Sequence, residues 1–178
     1  MPTPSLPLSF RRLETEDAAA FRDLRIAGIV EHPEYFGTPA AEEEAGGLAL
    51  FARRIAGSQE GEGVFGAFRG DALVGIAGFF RVSTSGTMRH RGDLWGVYVV
   101  PEERGGETAE RLIRTVIDHA RRHVDVLTGH VTTTNPRARQ FYVRLGFGFS
   151  GIEYKNLKVG GRYFDQEILV MDFTAATS

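Results

Sequence analysis

The sequence predicts a single α/β domain, in which a mixed sheet of about seven strands carries about four helices on its faces. The chain has 178 residues, enough for one domain with a hydrophobic core, and no repeat or linker divides it. Apolar segments of strand length and of helical periodicity follow one another in the order β-α-α-β-β-β-α-β-α-β-β. Within this order, residues 95–120 form a strand, a glycine-containing turn and an amphipathic helix.

The first half of the chain is predicted to contain four strands and two helices. Thr15 suits an N-cap because acidic residues follow it, and the helix it opens covers residues 16–30. A stretch that is mostly loop, 32–47, and a short helix, 48–55, come next. The predicted strands are 8–13, 63–68, 72–82 and 88–100, and the middle two form a hairpin around Arg69-Gly70-Asp71.

The second half contains the clearest helix, 108–122, whose apolar residues share one stripe while i,i+4 ion pairs occupy the exposed side. A strand over 124–133 follows it. Asn135-Pro136 then opens a helix as N-cap and first residue, and Leu145-Gly146 closes it with glycine after the last turn. Strands 147–157 and 162–173 finish the chain as a hairpin that turns at Gly160-Gly161.

The composition excludes several classes of function. A formal net charge of −2 provides no general attraction for nucleic acid, and the absence of cysteine excludes disulfides, thiol catalysis and cysteine-based zinc sites. The sequence has no H-E-x-x-H, P-loop or G-x-S-x-G motif, so we predict no metal, no P-loop NTPase and no common esterase. Residues 1–8 do not resemble a signal peptide and no apolar run approaches ~20 residues, so we expect a cytoplasmic protein.

The turn after the strand at 95–100 predicts an anion site. The first N–H groups of a helix lack partners within the helix, and the helix dipole adds partial positive charge at the same end. Gly105 and Gly106 leave room for phosphates to approach the backbone. The segment therefore predicts binding of a nucleotide-like cofactor.

Two motifs resemble the GCN5-related N-acetyltransferase (GNAT) superfamily. The segment V97-Y-V-V-P-E-E-R-G-G106 looks like its acetyl-CoA motif, and N135-P-R-A-R-Q-F-Y-V-R-L-G-F147 looks like its second motif, N-x-x-A-x-x-[FY]-Y-x-x-x-G-F. The resemblance covers nearly the whole chain. It implies a single GNAT-like domain over 1–178, a mixed and mostly antiparallel sheet, and transfer of the acetyl group of acetyl-CoA to a primary amine by direct attack.

The resemblance also implies the residues that bind acetyl-CoA. They are Val97, Val99, Arg104, Gly105, Gly106, Glu107, Thr108, Ala109 and Asn135. The backbone amide of Val97 or that of Val99 would hold the thioester carbonyl. Asn135 would touch the CoA chain, cap its own helix, or do both. Gly96 is either a bulge that splays the strand or a glycine that packing tolerates.

One position departs from the family pattern. The loop of the family reads [QR]-x-x-G-x-[GA], and here Arg104 and Ala109 fit its ends while Glu107 replaces the glycine. A carboxylate beside a diphosphate would be repelled by roughly 1 kcal/mol or more. Arg104 or Arg111 would offset that charge, or Gly105 and Gly106 would supply the close approach in a shifted loop.

Three residues are candidates for catalysis. Tyr142 aligns with the general acid that protonates the leaving thiolate in the family, although by pattern alone it is a core aromatic of its helix. Asp93 and His130 are alternative general bases, and each also suits an ordinary polar position on a strand. The sequence leaves a third option open, in which the amine loses its proton to water.

The acceptor and the partners are less defined. Glu42-Glu43-Glu44, in the predicted loop, would either attract a cationic amine or form a solvated charge run. We expect a small-molecule or peptide amine as acceptor, no nucleic acid or membrane partner, and a possible homodimer through the carboxy-terminal hairpin. The alternative function is a non-catalytic GNAT-fold module that binds acyl-CoA weakly or regulates another protein.

Overall fold

A computed structural model of the protein describes residues 6–175, and it contains one seven-stranded sheet. The strands lie in the order β1-β2-β3-β4-β5-β7-β6. Their bounds are β1 Leu8–Arg12, β2 Gly63–Arg69, β3 Ala72–Arg81, β4 Arg91–Val99, β5 Val126–Thr132, β6 Gly148–Val159 and β7 Arg162–Asp172. The first five and last three residues lie outside the described part of the chain, and so does most of the segment 1–8 for which we expect no signal peptide.

Helices cover both faces of the sheet. They are α1 Ala18–Glu31, α2 Ala40–Ala45, α3 Gly47–Ala56, α4 Thr108–Ala120 and α5 Pro136–Arg144. One hydrophobic core lies under α4 and α5 and the other lies under α1 and α3. Across residues 6–175, each helix is too short or too polar to cross a lipid bilayer.

Neighbouring strands are antiparallel except for β4 and β5. These two central strands run parallel because α4 crosses over one face of the sheet between them. Their pairing extends only from Arg91–Val126 to Leu94–Gly129. Beyond that point β5 continues to pair with β7 and β4 continues to pair with β3, so the middle of the sheet opens.

The fold predicted from the sequence is confirmed, with all seven strands in the predicted order. Thr15 as the N-cap of the first helix was wrong, because a 3₁₀ turn, Thr15–Asp17, precedes α1 and a capping box joins Glu14 to Asp17. The prediction that residues 32–47 are mostly loop was also wrong for Ala40–Ala45, which form α2. The acidic run lies in α2, since alanine and glutamate favour a helix after the extended Pro39.

The buried apolar side chains of α4 allow the assigned hydrophobic core to be tested. Ile113 is completely buried in the core beneath α4, so Ile113→Ala should lower the free energy of unfolding by about 2–5 kcal/mol. Val143→Ala is the matched control on α5, because the Val143 side chain is exposed and its loss should change stability by about 0.5 kcal/mol or less. Urea denaturation measures both, and equal effects would contradict the assigned core.

Candidate active site

The site begins where β4 separates from β5. Two residues of β4 oppose one residue of β3 near Gly96, since the register shifts between the pairs Gly78–Trp95 and Ile76–Tyr98. Gly96 has φ +64, a left-handed conformation that glycine adopts without strain. Gly96 therefore lies in a β-bulge, and this bulge turns the end of β4 away from the parallel strand β5.

The bulge leaves backbone groups of β4 facing the opening. The amide of Val100 donates to the carbonyl of Val74 on β3 at 3.0 Å. Backbone groups of a strand alternate in direction, so the amide of Val99 faces the opposite side, where β5 has diverged. Val97 lies in the bulge itself, and both residues line the opening.

The opening is part of a cleft of about 1310 Å³ that crosses the sheet. Ten of the predicted site residues line it: Asp93, Val97, Val99, Arg104, Gly105, Gly106, Ala109, His130, Asn135 and Tyr142. The structure thus brings together residues that come from β4, the following turn, β5 and α5. Glu107 and Thr108 are the two predicted residues that do not line the cleft.

The turn between β4 and α4 presents free amides to one end of this cleft. Within residues 6–175, the amides of Gly105, Gly106 and Glu107 donate to no protein acceptor. Gly105 has φ +80, and a Cβ added there would meet nothing within 4 Å. Backbone amides at a helix start with open space in front of them form an anion site.

The two predicted residues outside the lining contribute no side chain to the cleft. The carboxylate of Glu107 pairs with Arg111 at 3.0 Å on the exposed side of α4. The hydroxyl of Thr108 is buried and donates to the carboxylate of Glu103 at 2.7 Å. Only the main-chain amides of these two residues are available at the helix start. Because the Glu107 side chain lies outside the cleft, having glutamate in place of glycine at position 107 does not block access to the loop.

Arg104 has a different environment from the one predicted. Its Nη1 and Nη2 donate to the two oxygens of Glu31 at 2.7 and 2.8 Å, and its Nε donates to the carbonyl of Val99 at 2.9 Å. The Tyr98 hydroxyl donates to the same carboxylate at 2.7 Å. We call Arg104, Glu31 and Tyr98 the clamp, because they join the end of α1 to the glycine turn.

The clamp perturbs the titration of its members. Hydrogen bonds from Arg104 and then Tyr98 lower the pKa of Glu31 to about 2, and burial, followed by the hydrogen bond to Glu31, raises the pKa of Tyr98 to about 12. Arg104 therefore stays bound to a charged carboxylate at neutral pH and positions the turn. Sequence reasoning missed Glu31 because 73 residues separate it from its partner.

Tyr142 and Asn135 come from the α5 motif. Tyr142 packs between Phe141 and Phe147 with its side chain buried, and burial raises the pKa of its phenol. Because its pKa is raised, the phenol keeps its proton at neutral pH, and the residue lines the cleft. The Asn135 side chain accepts from the amide of Ala138 at 3.0 Å, which confirms its N-cap role.

Asp93 and His130 lie on the cleft face of β4 and β5. Asp93 accepts a hydrogen bond from Thr128 at 2.9 Å, and burial raises its pKa above the ordinary aspartate value. The His130 side chain is about one-third exposed, and its Nε2 lies 3.2 Å from the carboxylate of Glu153. Both candidate bases thus share one face of the opening, Asp93 deeper than His130.

The wall formed by α1, α2 and α3 carries a buried ion network. Glu43 is completely buried and contacts Arg25 and Arg54, so the middle residue of the acidic run is neutralised. None of Glu42, Glu43 and Glu44 lines the cleft, so the structure places no carboxylate of this run at the acceptor site, and the alternative of a solvated charge run was wrong for the buried Glu43. A sequence signal existed, because Arg25 interrupts the apolar face that Phe21 begins.

Comparisons with known proteins agree with this geometry. The sequence model of the "Acetyltransferase (GNAT) family" matches residues 20–147, and no curated protein sequence matches the chain. Among solved structures, yncA of Salmonella typhimurium with its cofactor acetyl-CoA superposes with a TM-score of 0.77 at 19% identity, covering 96% of each chain.

Two further structures have the same fold. The acetyltransferase of GNAT family from Streptococcus pneumoniae gives a TM-score of 0.78 at 20% identity over 93% of this chain and 99% of its own. Ribosomal-protein-alanine N-acetyltransferase from Brucella melitensis gives 0.77 at 23% identity over 92% and 99%. With the family match over most of the sequence, the splayed sheet and the open helix start, the chain belongs to the GNAT family of acetyl-CoA-dependent acyltransferases.

Proposed function

We propose that the protein transfers the acetyl group of acetyl-CoA to a primary amine by direct attack, with residues 1–178 acting as one acetyltransferase domain. The observation that carries this proposal is one cleft that joins free amides at the start of α4 to the β4 amides beyond the last pair with β5. The first set suits a diphosphate and the second suits a thioester carbonyl. The proposal places the protein in the cytoplasm, without nucleic acid or membrane as partner.

The donor half of the site consists mainly of backbone. In the proposal, the amides from Gly105 to Ala109 hold the diphosphate while Arg104 keeps the turn in place through the clamp. The amides of Val97 and Val99 hold the thioester oxygen, and Asn135 contacts the CoA chain with the donor atoms that its capping contact leaves free. Arginines outnumber carboxylates along the cleft, which favours an anionic cofactor.

The chemical step needs a neutral amine. Asp93 takes a proton from the ammonium group, and His130, which is more exposed, passes it toward water. The nitrogen lone pair then attacks the thioester carbon, and the oxygen gains negative charge against the β4 amides. The carbon–sulfur bond breaks, the thiolate takes a proton from Tyr142, and the products are an N-acetyl amine and CoA.

The proposal is tested by acetyl-CoA binding and by CoA release with a panel of amines and peptides, followed by mass spectrometry of the product. We expect binding in calorimetry and one acetyl group added to nitrogen. The alternative, a non-catalytic module, predicts binding without CoA release. Absence of binding at millimolar acetyl-CoA would contradict both the proposed donor site and the proposed enzyme activity.

A charge placed in the turn tests where the diphosphate lies. Gly106→Asp should weaken acetyl-CoA binding by about fivefold or more, because a carboxylate would face the diphosphate while the added Cβ meets only the Glu103 carbonyl at 4.0 Å. Gly151→Asp on β6 is the matched control, since its Cβ also has open space but the residue does not line the cleft. Equal affinities of the two variants would contradict this placement.

Tyr142→Phe tests the general acid. Removal of the hydroxyl should lower kcat by about 10²-fold or more and leave the affinity for acetyl-CoA nearly unchanged, because the phenol acts on the leaving thiolate. Tyr154→Phe is the control, because Tyr154 is an exposed tyrosine on β6 away from the cleft. A Tyr142→Phe enzyme with full kcat would exclude Tyr142 from the proton transfer.

The pH dependence of kcat/KM separates the two bases. A base must be ionised to act, so the activity that depends on Asp93 should fall as the pH drops through its raised pKa, above the ordinary range near 3.9. We expect Asp93→Asn to lose this acid limb and His130→Gln to keep it. Rates are expressed as the ratio of wild type to variant, because the titration of the amine then cancels. The reverse pattern would make His130 the base.

A further inference from the structure

A buried arginine on the α1 wall of the cleft has unused hydrogen-bond donors. Arg25 is 5% exposed, and its Nη2 donates to Glu43 at 3.2 Å. Its Nε and Nη1 are buried, and neither has an acceptor in the part of the chain that the structure describes. Unpaired donors of a buried cation cost free energy, so most proteins satisfy them. A ligand that supplies an acceptor would remove this cost.

One of the unused donors lies beside the bulge, where the proposed reaction holds the thioester carbonyl. The Nη1 atom of Arg25 lies 3.0 Å from the point that a Cβ on Gly96 would occupy. Gly96 precedes Val97, the first residue assigned to the thioester oxygen, and both residues line the cleft with Arg25. A group bound to this guanidinium is therefore next to the reacting carbonyl and on the opposite side of β4 from α4.

The local charge favours an anion at this position. Arg25 and Arg54 both contact Glu43, so two cations share one carboxylate and one positive charge remains. Glu31, another carboxylate of this part of the cleft, is already held by Arg104. Glu62 also lines this part of the cleft, but its carboxylate accepts hydrogen bonds from the backbone amides of Ser58, Gln59 and Arg81. The cluster of Arg25, Arg54 and Glu43 therefore keeps one positive charge that an anionic group would compensate.

Aromatic side chains surround the two guanidinium groups. The Arg25 Cζ lies 4.8 Å from the ring centre of Phe36 and 5.5 Å from that of Trp95. The Arg54 Cζ also lies 5.5 Å from the ring centre of Trp95. Tyr35 and Leu50 extend the apolar lining. The rings hold the cations in fixed positions and offer contact area to an apolar body.

We propose that Arg25, supported by Arg54, binds a carboxylate of the acceptor, so that the substrate class is a primary amine that carries an acidic group and an apolar body. Amino acids and the acidic amino-terminal residues of peptides share this chemistry. The inference rests on the acetyl transfer proposed above. In that reaction the acetyl group goes to nitrogen and the amine proton to Asp93, while the carboxylate stays paired with Arg25 and is chemically unchanged.

Matched acceptors test the proposal on the unaltered protein. One arm compares leucine and phenylalanine with their carboxamides and with the amines that lack the carboxyl group. The other arm compares peptides that begin with Asp or Glu with those that begin with Asn or Gln. We expect kcat/KM to be about 10-fold or more higher for the acidic member of the pairs in one arm, as for a charge-assisted hydrogen bond. The arm that discriminates identifies the source of the carboxylate.

Substitutions then assign the preference to Arg25. Arg25→Lys keeps a cation for Glu43 but lacks the Nη1 donor, so the ratio of kcat/KM between acid and amide should fall toward one. Arg22→Lys on the same helix is the matched control, because Arg22 pairs with Asp23 and lies outside the cleft, and its ratio should equal that of wild type. The ratio compares two substrates of one enzyme, so a partial loss of folded protein does not change it.

The outcomes separate this inference from the proposed function. If amines are acetylated and neither arm shows a preference, the carboxylate subsite is wrong and the acetyltransferase function stands. If a preference exists but survives in Arg25→Lys, the carboxylate binds elsewhere and the assignment to Arg25 is wrong. If acetyl-CoA does not bind and no amine is acetylated, the proposed function itself fails.

Discussion

The separation of two parallel strands is the constraint on which the rest of this molecule depends. The pairing between β4 and β5 stops after Leu94 and Gly129, although each strand still pairs with its other neighbour. Unpaired backbone groups inside a domain are costly unless another group satisfies them. The fold accepts this cost at the Gly96 bulge, where an inserted ligand can take the place of the missing strand.

Charged contacts fix the two ends of the opening. The clamp joins α1 to the turn before α4, so the free amides are presented in one arrangement. The Glu43 network joins α1 to α2 and α3 and fixes the opposite wall. Buried ion pairs contribute little net stability, because desolvation offsets their attraction. Their value in this protein is positional, and both sets connect to the same helix, α1.

The sequence predicted the elements that local patterns encode and missed the contacts that only the fold creates. The apolar stripe of α4 and the Asn135 cap follow rules that act within a few residues, and the structure contains both. The clamp and the Glu43 network join residues far apart in the chain, so local patterns do not identify the partners, although Arg25 interrupts the apolar face of α1. Short helices such as α2 depend on tertiary packing, so the local pattern of this acidic, alanine-rich segment does not predict a helix.

The two halves of the site differ in what carries their chemistry, and this difference explains which half a sequence can identify. The proposed donor half uses main-chain amides, so it needs a bulge, a glycine turn and a helix start, and it accommodates Glu107 because that side chain lies outside the cleft. The proposed acceptor half uses side chains of α1, α3 and the Tyr35–Phe36 segment, where a single exchange changes charge or shape. In the proposed reaction, recognition of acetyl-CoA is therefore a property of the backbone that many sequences share, whereas recognition of the amine would depend on individual side chains such as Arg25.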